Sequence, residues 1–289
     1  MPFKENTIQI KLFSIWSHLP EHINPTIFSI GPVPIRWYGV LYLTGWLIVY
    51  CLVAYKIKSE NLQYTKKTIS DLFIWAIVAS LIGARLGYVL LYDFRYFYAN
   101  PVRIFLPVAG PSNADYTGLS GLSYHGSFIG VMLACILFSY KRKIYFWHLA
   151  DLIASIVPLG YTLGRIGNFI NGELYGRVTT SLWGMYFPLD PTDQLRHPSQ
   201  LYEAFFEGLV LFVILWNLRK IRWFDGFIFS MYLIGYGVAR FFIEFVREPD
   251  AHLGLILGYV TMGQILCLCM ILSGFLIMLI RKLCHNRIE

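Results

Sequence analysis

The chain has 289 residues, of which 56% are hydrophobic and only 14% are charged. Its mean hydropathy of +0.54 is far above that of a soluble domain of this length, so the composition excludes a soluble globular protein. The net charge is +7. In a membrane protein, the positions of the basic residues along the chain indicate its orientation.

The first predicted element is an arm formed by residues 1–36. It contains charges and prolines and lacks a basic region followed by an apolar run, so we expect no cleavable signal peptide here. Residues 8–19 are amphipathic enough to lie in a membrane interface. We expect this arm to lie on the exterior side.

Seven apolar stretches follow, each near the roughly 20 residues that cross a hydrocarbon core. Asp151 and Pro158 interrupt the fourth of them. The predicted fold is an all-α integral membrane protein, a bundle of about seven transmembrane helices over residues 37–280, with a cytoplasmic tail at 281–289. The stretches are approximately 37–55, 70–92, 123–140, 146–163, 201–218, 227–245 and 258–280.

Lysine and arginine set the predicted orientation, because short basic loops stay in the cytoplasm. Four short segments, after the first, third and fifth stretches and at the C-terminus, hold 13 of the 24 basic residues. We therefore expect the N-terminus outside, the C-terminus inside, and exterior (periplasmic) loops at about 93–122, 165–200 and 246–257.

The five cysteines fall within the apolar stretches or on the cytoplasmic side, which predicts no exterior disulfide. They show no metal-ligand spacing with histidine. We expect no metal, no cofactor and no nucleic-acid partner. Any thiol that reacts on the exterior side must come from a substrate.

Polar and ionisable residues gather at the exterior end of the predicted bundle. Such residues are costly inside a membrane and are functional candidates by default. The candidates are Arg36, Tyr38, Arg85, His125, Arg165, Asn168, Glu173, His197, Glu203, Arg240, Glu244 and Arg247.

The spacing of Arg240, Glu244 and Arg247 places them on one face of a predicted helix. One interpretation is an internal ion pair that joins helices. The other is an anion site, because Arg165 and Arg85 at the same level make arginine outnumber the available carboxylate. A phosphate suits that site, since guanidinium groups bind its oxygens in bidentate geometry.

His125 also has two interpretations. A single histidine at the start of a span is commonly a hydrogen-bonded structural residue. Beside a phosphate pocket, however, an imidazole that titrates near neutral pH suits a general base.

Five motifs follow one another along the chain. They are RWYG at 36–39, YHG at 124–126, GRIGNFINGELYG at 164–176, RHPSQLYE at 196–203 and the segment 240–250. GRIGNFINGELYG resembles the signature of the bacterial prolipoprotein diacylglyceryl transferases, and the order and spacing of all five motifs resemble that family over about residues 30–280.

This resemblance implies transfer of the diacylglyceryl group of phosphatidylglycerol to the lipobox cysteine of a prolipoprotein signal peptide, at the outer leaflet of the cytoplasmic (inner) membrane. The thiol forms a thioether and glycerol phosphate is released. The implied catalytic residues are Arg165 and Arg240 for the phosphate and His125 for the thiol proton. The implied substrate-binding residues are Tyr38, Asn168, Glu173, Gly176, Glu244 and Arg247.

Two other classes of protein remain open from the residues alone. A lipid or anion transporter would also collect arginines, but it would show polarity through the whole membrane and often repeated halves. A transferase that acts on another phospholipid would share the anion site and would normally need paired acidic metal ligands. The acidic residues Glu173, Glu203 and Glu244 form no compact motif in the sequence.

Overall fold

The computed structural model describes residues 11–31, 33–91, 94–104, 123–221, 223–248, 255–256 and 260–286. A helix lies at each place where the sequence predicts a span, although one of these spans is divided into two helices. The long helices are α1 (Trp37–Ser59), α2 (Lys66–Leu91), α3 (Tyr124–Arg142), α4 (Phe146–Ala154), α5 (Val157–Ile170), α6 (Ser199–Leu218), α7 (Phe227–Ile243) and α8 (Met262–His285).

Within the described residues, α1, α2, α6 and α8 are long and apolar enough to cross a membrane. The pair α4 and α5, bent by 45° at a short break, would be a fifth span if it is counted as one, and α7 is apolar but shorter. The protein is therefore a mostly helical, multi-pass membrane protein. The count of seven spans stays a prediction.

The break between α4 and α5 confirms the interruption that the sequence predicts. Pro158 lies in the first turn of α5, where its missing N–H and fixed backbone angle are tolerated. Asp151 remains inside α4, and its carboxylate accepts the backbone N–H groups of Gly226 at 2.8 Å and Phe229 at 2.9 Å. Its negative charge thus stabilises the N-terminal end of α7.

The chain divides into two compact units, and the first comprises residues 1–53 and 150–289. In this unit α7 packs along α8 through Gly237 and Gly274, where an added Cβ would lie 3.0 Å from a carbonyl oxygen of the facing helix. Gly208 of α6 lies directly against Thr162 of α5. Small residues at these crossings let the helix backbones approach closely.

The second unit comprises residues 54–149 and is built on the pair α2 and α3. Gly83 of α2 contacts Gly126 of α3 with no room for a side chain on either. Arg85 donates from Nε to the carbonyl oxygen of Ile104 and from Nη2 to that of Arg103, both at 2.8 Å. These contacts engage Arg85 within the second unit itself.

Two short antiparallel strand pairs modify the predicted all-α fold. β1 (Thr26–Ile30) pairs with β2 (Val33–Arg36), and β3 (Leu255–Ile256) pairs with β4 (Val260–Thr261). Gly31 has a φ of +58°, which the turn after β1 requires and which glycine adopts without steric cost. The exterior arm predicted at residues 1–36 thus contains a hairpin, and its first ten residues lie outside the described part.

The loops also differ from the prediction in their bounds. The predicted exterior loop 165–200 begins too early, because α5 continues to Ile170 and contains Arg165. The predicted loop at 93–122 includes a short helix, Phe94–Ala99, and its residues 105–122 lie outside the described part. In the predicted loop 246–257, residues 249–254 and 257 lie outside it as well.

The segment 171–198 is held by the arm and by its own core. The backbone N–H of Tyr186 donates to the Ser17 carbonyl oxygen at 2.8 Å, and Trp16 meets Trp183 edge to face. Met185 and Phe187 pack under the segment against Phe169 at the end of α5. This packing fixes the segment over the end of the bundle where α5 ends and α6 begins.

Candidate active site

Glu203, in the first turns of α6, lies at the centre of a buried charged cluster. Its side chain is fully buried, and its Oε2 lies 2.7 Å from Nε of Arg165. Its Oε1 accepts from Nη1 of Arg247 at 2.8 Å and lies 3.2 Å from Nη1 of Arg240. One carboxylate thus contacts three arginines, one on α5, one in the last turn of α7 and one just after α7.

Glu207 lies one turn further along α6, inside the π-helical segment Ala204–Val210, and is also fully buried. Its Oε2 accepts from the Tyr161 hydroxyl at 2.6 Å, and its Oε1 lies 3.7 Å from Nη1 of Arg240. π-helical turns are rare and are frequently found at functional sites. The two glutamates of α6 therefore face the same arginine of α7.

Arg240 has a third carboxylate partner beside it on its own chain segment. Its Nη2 lies 3.2 Å from Oε2 of Glu244, and the Thr261 hydroxyl donates to Oε1 of Glu244 at 3.1 Å. Gly263 leaves room for this carboxylate, because a Cβ there would lie 2.5 Å from Oε1. The start of α8 thus holds Glu244 against Arg240.

Arg247 does not share a helical face with Arg240, contrary to the sequence prediction. α7 ends at Ile243, and the chain then turns so that Arg247 pairs with Gly176 in an isolated β-bridge. A Cβ on Gly176 would overlap the Val246 carbonyl oxygen. Glycine at this position therefore allows the close backbone approach that brings Arg247 to Glu203.

A second set of polar residues lies beside Arg165. Asn168 accepts from Nη1 of Arg165 at 3.3 Å and donates from its amide to Glu173 at 2.8 Å. The amide of Gln200 donates to the Glu173 backbone carbonyl. On the other side of α5, Gly167 packs against Tyr38, with a Cβ position only 3.0 Å from the tyrosine ring.

The segment 171–198 has its own ion pair. Nε of Arg196 donates to Asp190 at 2.7 Å, and Nη1 of Arg196 donates to Glu248 at 3.1 Å. Burial raises the pKa of Asp190, but hydrogen bonds from Arg196 and Thr192 outweigh it and lower that pKa to about 2. Burial also lowers the pKa of His197, whose ring lies 3.3 Å from the Tyr202 hydroxyl.

The cluster contains as many carboxylates as arginines, so the predicted excess of arginine over carboxylate is wrong. Three arginines, at 165, 240 and 247, face three carboxylates, at 203, 207 and 244. The donors are not balanced. A guanidinium has five N–H groups, and in the described part of the chain no hydrogen bond is made by Nη2 of Arg165, Nη1 of Arg240, or Nε and Nη2 of Arg247.

The structure brings most of the predicted site residues together at one end of the first unit. The residues joined by direct or one-step contacts are Arg165, Asn168, Glu173, Gly176, Arg240, Glu244 and Arg247. Tyr38 reaches this set through Gly167. The side chain of His125, at the start of α3, lies outside the described part of the chain.

Glu207 and Tyr161 are partners that the sequence prediction did not name, and Glu203 is a predicted candidate to which no role was assigned. Two glutamates four residues apart in an apolar stretch are a signal that was available, because such costly residues need a cationic partner inside a membrane. Tyr161 lies four residues before Arg165, which puts both on one face of α5.

Comparison with known proteins identifies the family. The family profile described as prolipoprotein diacylglyceryl transferase matches residues 25–280. The chain belongs to this family. The match covers α1 to α7, nearly all of α8 and every residue of the cluster described above.

Individual relatives agree with the family profile. A protein from Chlorobaculum tepidum is 52% identical over 90% of this chain and 90% of its own length. Proteins from Aliivibrio salmonicida (45%, covering 89% of this chain and 87% of the relative) and Treponema denticola (41%, covering 93% and 96%) are also similar. Each bears the name phosphatidylglycerol-prolipoprotein diacylglyceryl transferase. As a member of this family the chain is a transferase.

Proposed function

We propose that this protein transfers the diacylglyceryl group of phosphatidylglycerol to the lipobox cysteine of prolipoproteins, the first step of bacterial lipoprotein maturation. The cysteine sulfur forms a bond to the glyceryl carbon that carries the phosphate, and the carbon–oxygen bond to glycerol phosphate breaks. The thiol loses a proton, and the leaving phosphate carries the electron pair of the broken bond. Family membership supports this reaction.

The observation that carries the assignment to this site is the arginine cluster with unused N–H groups. Arg165 and Arg240 are largely buried, with 14% and 15% of their side chains exposed. Glutamate carboxylates contact both guanidinium groups, so the buried positive charges have partners in the absence of a ligand. Arg165 nevertheless keeps Nη2 available, and a phosphate oxygen that enters the cluster would accept from it in charge-assisted geometry.

In this proposal Arg165 and Arg240 stabilise the negative charge that develops on the leaving phosphate. Fixed donors aimed at developing charge are worth about 3–4 kcal/mol each when they are held in a dry site. Asn168 and Glu173 orient Arg165 and bind the glycerol hydroxyls, while Glu244 and Arg247 hold Arg240 and Glu203. Gly176 permits the approach of Arg247, and Tyr38 closes the pocket beside α5.

His125 stays our candidate for the base that takes the thiol proton. It opens α3, and an unperturbed imidazole titrates near neutral pH, as a base for a thiol should. The pH dependence of a His125 variant tests this role.

For the membrane we propose seven spans in the bacterial cytoplasmic (inner) membrane, with the N-terminus outside and the C-terminus inside. The charged cluster would then lie toward the outer leaflet, where the ends of α5 and α7 and the start of α6 meet. Reporter fusions at Lys141 and at Asn171 test this orientation. They should report opposite sides, with Lys141 in the cytoplasm; the same side for both would contradict it.

The activity is tested by incubating the purified full-length protein with phosphatidylglycerol vesicles and a synthetic lipobox peptide. The expected result is a mass gain on the peptide cysteine equal to one diacylglyceryl group, together with free glycerol phosphate. A matched peptide with serine in place of the cysteine is the control and should stay unmodified. Modification of the serine peptide, or no mass gain on the cysteine peptide, would contradict the proposed reaction.

A further inference from the structure

We propose that Glu207 is a positioning residue for this transfer: through the Tyr161 hydroxyl, it fixes the direction of the Arg165 guanidinium. The proposal rests on the role given above to Arg165. It adds to that role two residues that touch neither substrate but determine how the arginine is presented.

The hydrogen of the Tyr161 hydroxyl has a definite direction. This group lies 2.6 Å from Oε2 of Glu207 and 3.3 Å from Oε2 of Glu203, so its one hydrogen goes to Glu207. With its hydrogen used, the tyrosine oxygen can only accept. It accepts the hydrogen of Nε of Arg165 at 2.7 Å, whereas Oε2 of Glu203, also 2.7 Å from Nε, forms an ion pair without a hydrogen bond to this nitrogen.

The hydrogen bond from Arg165 to Tyr161 restricts the orientation of the guanidinium. A guanidinium is planar and its donors have fixed directions, so a bond at Nε sets where the other nitrogens point. Nη1 is taken by Asn168, and Nη2 is the group left for a ligand. The arginine also lies over the Tyr161 ring, with 4.8 Å between Cζ and the ring centroid. Tyr161 therefore limits both the tilt and the rotation of Arg165.

Glu207 has one carboxylate oxygen without a hydrogen bond. Its Oε1 is buried without a hydrogen bond, and it faces Nη1 of Arg240, which is also buried without one, across 3.7 Å. Buried polar atoms without hydrogen bonds are costly, and a carboxylate kept in such a place calls for an explanation. The explanation is that Glu207, in the π-helical turn of α6, holds the Tyr161 hydroxyl in place.

The experiment compares turnover and KM for phosphatidylglycerol in four variants of the purified full-length protein. Tyr161→Phe removes only the hydroxyl, and Glu207→Leu removes the acceptor. Glu207→Gln keeps an acceptor oxygen. Tyr140→Phe, at an exposed tyrosine near the end of α3, is the matched control and should behave as the wild type.

We expect Tyr161→Phe and Glu207→Leu each to lower turnover at saturating lipid by about 10-fold or more, because misdirected groups lose rate rather than binding. KM should change less than about 3-fold, since the positive charge of Arg165 remains. Glu207→Gln should retain more activity than Glu207→Leu. Equal loss in those two variants, or loss expressed in KM alone, would overturn the proposal.

The double variant Tyr161→Phe with Glu207→Leu separates positioning from general packing. Residues that act through one path are not additive, so it should be no slower than the slower single variant. Multiplied losses would show two independent roles and would overturn the proposal. If Glu207→Leu does not fold, Tyr161→Phe alone decides the question, because wild-type turnover in that variant would overturn the proposal.

The result also separates this inference from the role of Arg165. An inactive Arg165→Gln beside a fully active Tyr161→Phe would leave the arginine in place and exclude only the positioning path. An active Arg165→Gln would remove both.

Discussion

Oε2 of Glu203 lies 2.7 Å from Nε of Arg165 and joins α6 to α5 where both helices carry buried charge. The same carboxylate contacts Arg240 and Arg247. Every charge in such a buried network is needed, because removing one leaves the opposite charges uncompensated in a medium of low dielectric constant. Glu203 is thus the common partner of the arginines that we assign to phosphate binding and to support of the site.

Glu203→Gln should destabilise the protein by about 3–5 kcal/mol, since it leaves three buried arginines with one carboxylate fewer. Transfer activity should fall with it. Thermal unfolding in detergent measures the first effect. Glu248→Gln is the matched control, because Glu248 is half exposed in its pair with Arg196 and such pairs contribute only about 0–1 kcal/mol. Similar melting temperatures for the two variants would contradict the central position of Glu203.

Arg165→Gln should reduce turnover by about 10²–10³-fold, the usual cost of one donor to a developing anion. Arg165→Lys should also be poor, because a point charge cannot hold Tyr161, Asn168 and a phosphate oxygen at once. Single-turnover assays with saturating lipid measure the effect. Arg142→Lys, at an exposed ion pair with Asp71, should remain active. Near-normal turnover of Arg165→Gln would exclude it as the phosphate ligand.

Gly176→Ala should impair transfer although it removes no functional group. The new methyl group would collide with the Val246 carbonyl oxygen and displace the segment that carries Arg247 to Glu203. Gly39→Ala in α1 is the control, because a Cβ there meets nothing within 4 Å. Parallel measurement of turnover and melting temperature should show a loss only for the first variant. A fully active Gly176→Ala would exclude close backbone approach as the reason for glycine here.

His125→Asn should lose activity near pH 7 and recover part of it as the pH approaches the thiol pKa of about 8.5. A base matters less once the substrate thiol is ionised, so the recovery follows the thiolate fraction. Arg165→Gln should show no such recovery, since its defect concerns the leaving group. A folded His125→Asn enzyme with a flat pH profile would leave histidine a positioning role. A wild-type rate at pH 7 would remove it from the mechanism.

Asp190→Asn should lower the melting temperature at neutral pH by breaking the buried contact with Arg196, at a cost of about 1–3 kcal/mol. The folded pKa of Asp190, about 2, lies below its ordinary value. Its contribution is therefore complete above about pH 4 and is lost as the pH falls through 2. The difference between wild type and variant should shrink over that interval. Asp193→Asn, at an exposed carboxylate of the same segment, should give no such difference.

Sequence patterns predict much of this site, because a charged residue is costly inside an apolar segment and occurs there only in few arrangements. Arg165, Arg240 and Glu244 were predicted to converge from cost and spacing alone, and they do. The excess of arginine predicted from the charges on one helix face is wrong, however. The compensating glutamates lie on α6, and no spacing rule within a single helix reports which carboxylates a neighbouring helix supplies.

Other features depended on tertiary contacts that the sequence does not display. The π-helical turn Ala204–Val210 lies where Gly208 packs against Thr162, a contact between residues 46 positions apart. The hairpin of β1 and β2 is not among the predicted elements, since the sequence predicts residues 1–36 only as an exterior arm. Glycine with a positive φ between two short apolar runs is the local signal of such a turn.

The charged cluster also constrains how the chain enters the membrane during synthesis. α6 carries two glutamates, and a charged residue costs about 2.5–3.5 kcal/mol when it is inserted unpaired near the centre of a helix, where Glu207 lies. Arg165 precedes α6, but Arg240 and Arg247 are synthesised after it. α6 therefore remains incompletely neutralised until α7 emerges from the ribosome, and these two helices are expected to leave the translocon together as a pair.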